Sequence, residues 1–352
     1  MSNGSRSSSG SSNNAPLEAT ATYAYAFSAL CVAMIGAMFL AFMIGGYTVF
    51  NSGLGSREAA NPVTFVPIFI FGAPLPFFSS ISLADIFAGL WAIYIILFTI
   101  VLNGPKQSFV GVIRKIKATS TFSFYDNSAL VVITSFSVLM VAFLAIDFLQ
   151  GLIGVPTGTI PENPPIRSFT LMSWAPISEE IGFRVTLIGG VALIVLLSQG
   201  RGLKSLKVLW HPSRAFEEFG LRRVDYISVI YFAIVVSSLF FGAAHIIYNS
   251  SWEIGKVPTA AIAGFVIGWV YFKNGFPASV LLHWSFNFLS GSYVYFSCAL
   301  SSAAGRCEDV AQNSLLVNSF EALIVTTGIL GIGMLMLNLV VKRRWKQIDV
   351  TV

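Results

Sequence analysis

Long, almost unbroken apolar runs separated by short polar stretches dominate this chain. Each run approaches or exceeds the roughly 20 residues needed to cross the hydrocarbon layer as a helix. The pattern predicts about eight spans, at 23–50, 83–103, 128–152, 168–198, 226–249, 257–273, 277–298 and 316–341. The runs are continuous rather than alternating, which argues against a β-barrel. The stretch 62–80 is also apolar, but Pro62, Pro67, Pro74 and Pro76 interrupt it, so it is expected to be an interfacial or re-entrant piece. Residues 1–20 are rich in Ser, Gly and Asn and read as a disordered cytoplasmic tail. Arg6 is isolated there, and the first apolar run starts too late and runs too long for a cleaved signal peptide.

Composition agrees with the pattern. Of 352 residues, 55% are hydrophobic and 11% are charged, against about 25% charged in soluble proteins. The expected fold is therefore an all-α, polytopic transmembrane helical bundle. The net charge of +5 is small for the length, and no basic tract is interleaved with aromatics, so nucleic acid is not an expected partner. Lys and Arg cluster after the second span (Lys106, Arg114, Lys115, Lys117), after the fourth (201–223) and after the eighth (Lys342, Arg343, Arg344, Lys346). With eight spans these segments share one side, which the positive-inside rule makes cytoplasmic, along with both termini. A plasma-membrane location is expected. Residues 203–223 mix basic and apolar positions, as either a helix on the membrane face or an ordinary loop would. Cys298 and Cys307 flank one outer loop, where a disulfide and two free thiols are both compatible with the sequence. Asn249-Ser250-Ser251 forms a short glycosylation sequon.

Ionisable side chains inside spans are costly and mark function. The fourth span holds Glu179, Glu180 and Arg184, the fifth His245, and the seventh His283 with Asn287. Two of the three histidines thus lie in spans, and the third, His211, lies in a loop without an assigned role. Glu180 and Arg184 are four apart and can pair on one helical face. Glu179 points about 100° away and is left without that arginine, as suits a general base. His283 and Asn287 share a face, and Gly242-Ala243-Ala244 before His245 permits close helix approach. Together these groups supply a base, a proton handler and neutral hydrogen-bond donors, the parts needed to activate water and hold an oxyanion.

Glu179-Glu180-x-x-x-Arg184, Phe241-x-x-x-His245 and His283-x-x-x-Asn287, in this order on membrane spans, resemble the CPBP family of intramembrane CAAX prenyl endopeptidases and bacteriocin-processing peptidases. Asn274-Gly275-Phe276-Pro277 resembles the family's turn before the third motif. The resemblance covers about residues 165–300. It implies a buried catalytic cavity open to the cytoplasm, Glu179 as the water-activating base, and His245 orienting the water or shuttling its proton. It further implies an oxyanion hole from His283 and Asn287, with Glu180, Arg184 and Phe241 supporting the site. The expected substrate is a peptide or lipidated protein at the membrane, including a prenylated CAAX C-terminus, with membrane lipid as the surrounding partner.

No cofactor is favoured. Zinc held by Glu179, His245 and His283 remains open, although an HExxH arrangement is missing. A proton-coupled transporter and a catalytically silent scaffold are the alternatives, and no internal repeat of the transporter kind is visible. The chain divides into the tail (1–20), N-terminal transmembrane helices (21–160), a catalytic core (161–300), and a last helix with a basic tail (301–352). Counting residues from the span ends puts His245 and His283 at different depths, so a shared site requires tilted or displaced helices.

Overall fold

A computed structural model describes residues 15–104, 106–119, 126–159, 164–248, 251–301 and 307–348. All eight predicted segments are helical. We number the long helices α1 (Ala15–Phe50), α2 (Leu83–Asn103), α3 (Ser128–Leu152), α4 (Pro165–Ser198), α5 (Ile227–Ile247), α6 (Lys256–Asn274), α7 (276–300) and α8 (Leu315–Ile348). Among the described residues six are long and apolar enough to cross a membrane: α1 from Ala21, α2, α3, α4, α5, and α8 to Leu337. The protein is an all-α, multi-pass integral membrane protein. The remaining expected spans are α6, with lysines at both ends, and α7, which is interrupted by a widened turn at Ser285–Leu289. The first helix begins at Ala15, inside the stretch expected to be a tail; residues 1–14 of that tail lie outside the described residues, as do Asn249 and Ser250 of the sequon.

The core is aromatic. Where α1, α2, α4 and α7 meet, Phe42 stacks on Trp284 (5.3 Å between ring centroids), Trp284 on Phe288 (5.1 Å), and Phe87 packs on Phe169 (5.2 Å). Tyr94 Oη donates to the Ser173 carbonyl at 2.5 Å, tying α2 to α4. In lipid, helices gain little by hiding apolar surface from one another, so close packing and polar contacts carry their association. The α5–α6 pair shows this. A Cβ on Gly242 would lie 2.8 Å from the Val257 carbonyl oxygen, and one on Gly264 3.1 Å from Ser238 Cα, so the two backbones approach where glycine permits it. The N-terminus of α4 has no side-chain cap of its own; Glu58 Oε2 accepts the Ile166 N–H at 2.9 Å and fills that place.

The stretch 62–80 departs from expectation. It is a β-hairpin, β1 (Phe65–Ile70) paired antiparallel with β2 (Ala73–Phe78). Phe71 (φ 49°) and Gly72 (φ 76°) form its two-residue turn, whose paired positive φ values match the twist of a hairpin. The prolines fit because of their register. Pro67 faces Pro76, and Pro74 faces Phe69. A proline cannot donate, so these are the non-hydrogen-bonded pairs, whose backbone groups point outward from the ladder. Prolines two apart remove outward N–H donors from β2 and blunt its free edge.

The segment 201–225 is not an irregular loop. It forms a 3-10 helix (Gly202–Leu209), a short α-helix (Pro212–Glu218) and a 3-10 turn (Arg223–Asp225). Leu203 is 85% exposed, and Leu206 and Trp210 are also exposed on its outer side. Of the two alternatives for the cysteines, the structure forms the disulfide Cys298–Cys307 (Cα–Cα 5.1 Å).

Candidate active site

The site is built on a helix that changes pitch. α4 is α-helical to Glu180, and Ile181–Gly189 then opens into π turns. Such turns leave carbonyls and side chains off the regular ladder and recur at functional sites. The Phe183 carbonyl accepts Ser237 Oγ of α5 at 2.6 Å. The Gly182 carbonyl accepts Thr186 Oγ1 and, at 3.0 Å, the Gly72 N–H from the hairpin tip. The neighbouring Phe71 N–H donates to Thr186 Oγ1 at 2.9 Å. Gly182 is required here: a Cβ on it would sit 2.3 Å from Phe69 Cβ. The hairpin thus grips the helix two residues after the glutamate pair.

Glu180 and Arg184 are both fully buried, and Arg184 Nη1 lies 3.3 Å from Glu180 Oε1. The expected pair forms, and it has a third member. His283 Nδ1, on α7, lies 3.0 Å from the same Glu180 oxygen. The other ring nitrogen, Nε2, is 3.8 Å from Glu179 Oε2. His283 therefore stands between the two carboxylates. Glu179 is the more accessible of them, its side chain 20% exposed against 0% for Glu180. A distance of 3.8 Å is too long for a direct hydrogen bond, but one water at about 2.8 Å from both atoms spans it.

Arg184 is held further by Nη2 donating to the Gly264 carbonyl at 3.3 Å and by stacking over Phe241, 4.3 Å from the ring centroid. Buried ions are tolerated when paired and hydrogen-bonded in this way. Phe241 is the hub of the site. His245 meets its ring edge-on at 4.9 Å, and His283 does so at 5.7 Å. The two histidines, which residue counting put at different depths, thus flank one aromatic ring. His245 Nδ1 is engaged by the Phe241 carbonyl at 2.9 Å, which leaves Nε2 as its free ring atom. Among the described residues His245 makes no direct hydrogen bond to Glu179.

Asn287 sits on the widened turn of α7, and its Nδ2 donates to the Met172 carbonyl at 3.2 Å. The reason lies four residues along α4. Pro176 has no N–H, so the helix leaves the Met172 carbonyl without its usual partner. Asn287 thereby ties α7 to α4 about two turns before Glu179. Its amide carries a second N–H beyond the one used here.

Sequence reasoning missed the hairpin contact, the Glu180–His283 bond, and the Met172 carbonyl as a partner. Only the last had a local signal, a proline four residues after Met172 inside a helical run. A zinc ligand lies about 2.0–2.2 Å from the metal. His283 and His245 each engage Nδ1 and keep Nε2 uncommitted, and among the described residues no three His, Cys, Asp or Glu side chains are grouped to hold a metal ion.

His283 thus spans the space between two carboxylates, with His245 also packed on the Phe241 ring. Residues 161–289 match the family model described as type II CAAX prenyl endopeptidase Rce1-like. The match covers the motif-bearing part of the chain, in agreement with the resemblance its motifs displayed, and the family it points to is one of membrane proteases. No curated protein and no solved structure matches the chain.

Proposed function

We propose that the protein is an intramembrane endopeptidase that cleaves a peptide bond near the membrane surface with water activated by Glu179. The observation that carries this reading is His283, 3.0 Å from Glu180 and 3.8 Å from Glu179. Glu180, ion-paired with Arg184, accepts the Nδ1–H of His283 and fixes the ring. With Nδ1 engaged by Glu180, the ring turns its Nε2 toward the gap beside Glu179. A water in that gap is oriented by both atoms.

Glu179 takes the water's proton as its oxygen attacks the scissile carbonyl, and it returns that proton to the departing amine. The second N–H of Asn287 is the donor nearest the role of an oxyanion hole, since His283 Nε2 can donate only when its ring is protonated. His245, edge-on to Phe241, lines the same space and passes protons through Nε2. No step is routed through a metal. The substrate class is a membrane-proximal peptide, with a prenylated CAAX C-terminus the preferred form that the family match supports. By the positive-inside rule the basic segments favour a cytoplasmic side for both termini and the 201–225 face, in a plasma membrane by our reading.

The test uses purified protein reconstituted in vesicles, a prenylated CAAX peptide and an unprenylated counterpart, with cleavage read by mass spectrometry. Glu179→Ala should abolish product formation while the protein remains folded. Full activity in that variant sinks the mechanism. Failure of the wild type to cleave either peptide moves the assignment to a silent scaffold.

A further inference from the structure

A groove of about 330 Å³ lies away from the catalytic side chains, at the ends of two spans. Ile100 and Val101 come from the last turns of α2, Ser128 from the start of α3, and Pro277 from the turn into α7. The opposite wall is the segment 201–225, contributing Lys207, Trp210, His211 and Arg214. We propose that this groove binds the phosphate-bearing head of an anionic membrane lipid.

Three observations converge on that occupant. The first is position. α2 ends at Asn103 and α3 begins at Ser128, so the groove lies where two membrane-crossing helices reach the interface. Trp210 on that wall, with Leu203 and Leu206 elsewhere on the same segment, exposes apolar surface, as a segment resting on a bilayer does.

The second is its two-sided lining, aliphatic toward the span ends and cationic toward the short helices. An amphiphile matches both sides; a fully water-soluble anion matches one.

The third is charge. Lys207 and Arg214 both pair with Glu218, Arg214 Nε at 3.1 Å from Oε1. Two cations and one carboxylate leave one positive charge, and among the described residues no other acidic side chain lines the groove. His211 adds a neutral donor. Its Nδ1 accepts the Arg214 N–H at 3.4 Å, which puts the ring proton on Nε2. Burial, and then the nearby Arg214, hold its pKa below the usual histidine value, so the ring stays uncharged at neutral pH. The groove also ties helix ends together: Phe276 N–H of α7 donates to the Trp210 carbonyl at 2.8 Å, and Asn274 Nδ2 of α6 donates to Ser128 Oγ of α3 at 3.2 Å. This assignment is independent of the proteolytic reading.

The full-length protein in neutral detergent should retain phosphatidylglycerol, and not phosphatidylcholine, in native mass spectrometry, and its thermal midpoint should rise only with the anionic lipid. Neutralising both cations (Lys207→Gln with Arg214→Gln) should weaken retention roughly thirtyfold, while the charge-keeping pair Lys207→Arg with Arg214→Lys keeps most of it. Arg222→Gln, on the same face with a side chain 80% exposed, should change nothing and serves as the control. If the double variant fails to fold, Arg214→Gln alone, 63% exposed, carries the comparison. Equal retention of both lipids, or retention by the neutral variants equal to wild type, overturns the proposal. So does the same stabilisation by inorganic phosphate, which would make the ligand a soluble anion.

Discussion

The molecule contains two clusters of oppositely charged side chains that obey different rules. In the membrane, Glu180, Arg184 and His283 form a buried network whose first two members are fully shielded from solvent. On the 201–225 face, Lys207, Arg214 and Glu218 form a cluster of the same kinds of groups at 43–63% exposure, and Arg222 pairs with Asp225. The buried network has nowhere to relax: removal of one partner leaves a bare charge in a low-dielectric setting. The exposed cluster exchanges each lost contact for water. The comparison teaches that in this chain an ion pair's depth, not its geometry, sets what its loss costs.

Arg184→Ala is the most severe way to test that contrast. It leaves Glu180 uncompensated and removes the cation stacked on Phe241, so we expect a loss of about 3–5 kcal/mol and little folded protein, measured by unfolding in detergent. Wild-type-like stability in that variant breaks the comparison. Asn287→Ala should leave the fold largely intact, because one neutral hydrogen bond contributes about 1 kcal/mol. It should still lower kcat by about 10²–10³ if the amide holds the oxyanion. A change in KM alone would instead make Asn287 a strut between α4 and α7.

Gly182→Ala separates packing from charge. The added methyl collides with Phe69, so the hairpin must lift. An overpacking cost of about 1–3 kcal/mol is expected, with greater protease sensitivity around 65–78. The mildest test lies on the 201–225 face, where Arg222→Gln should leave the thermal midpoint unchanged. The same face has a pH signature. Glu218 has its pKa lowered by the hydrogen bond from Lys207 and then by Arg214. Its contribution is therefore present above the ordinary glutamate range and fades as pH falls through and below it. Glu218→Gln should remove that acid-side slope from the thermal midpoint, and a slope unchanged in the variant assigns it elsewhere.

Much of this was legible in the chain. Apolar runs marked all eight long helices, and four-residue spacing put Glu180 on Arg184, because both patterns are local. The hairpin was hidden because proline was read only as a helix breaker. Pro74 and Pro76, spaced by two, carry the period of a strand, and their tolerance depends on partners such as Pro67 in register across the turn. The bond from Glu180 to His283 joins residues 103 apart in sequence, and no local pattern encodes it. It also changes the reading of Glu180: that residue pairs with Arg184 as expected and in addition orients the histidine that faces Glu179. The disulfide needed a distance, which spacing alone does not give.

The carbonyl of Met172, released by Pro176 and taken by Asn287, works as an address on the helix. Sliding α7 along α4 by a single residue would forfeit the match, so the proline fixes which turn of one motif-bearing helix faces which turn of the other. Pro176→Ala would restore the helix's own claim on that oxygen and erase the address. The two motifs would then remain chemically complete but lose their alignment. A residue that takes no part in the chemistry thereby decides whether the parts meet.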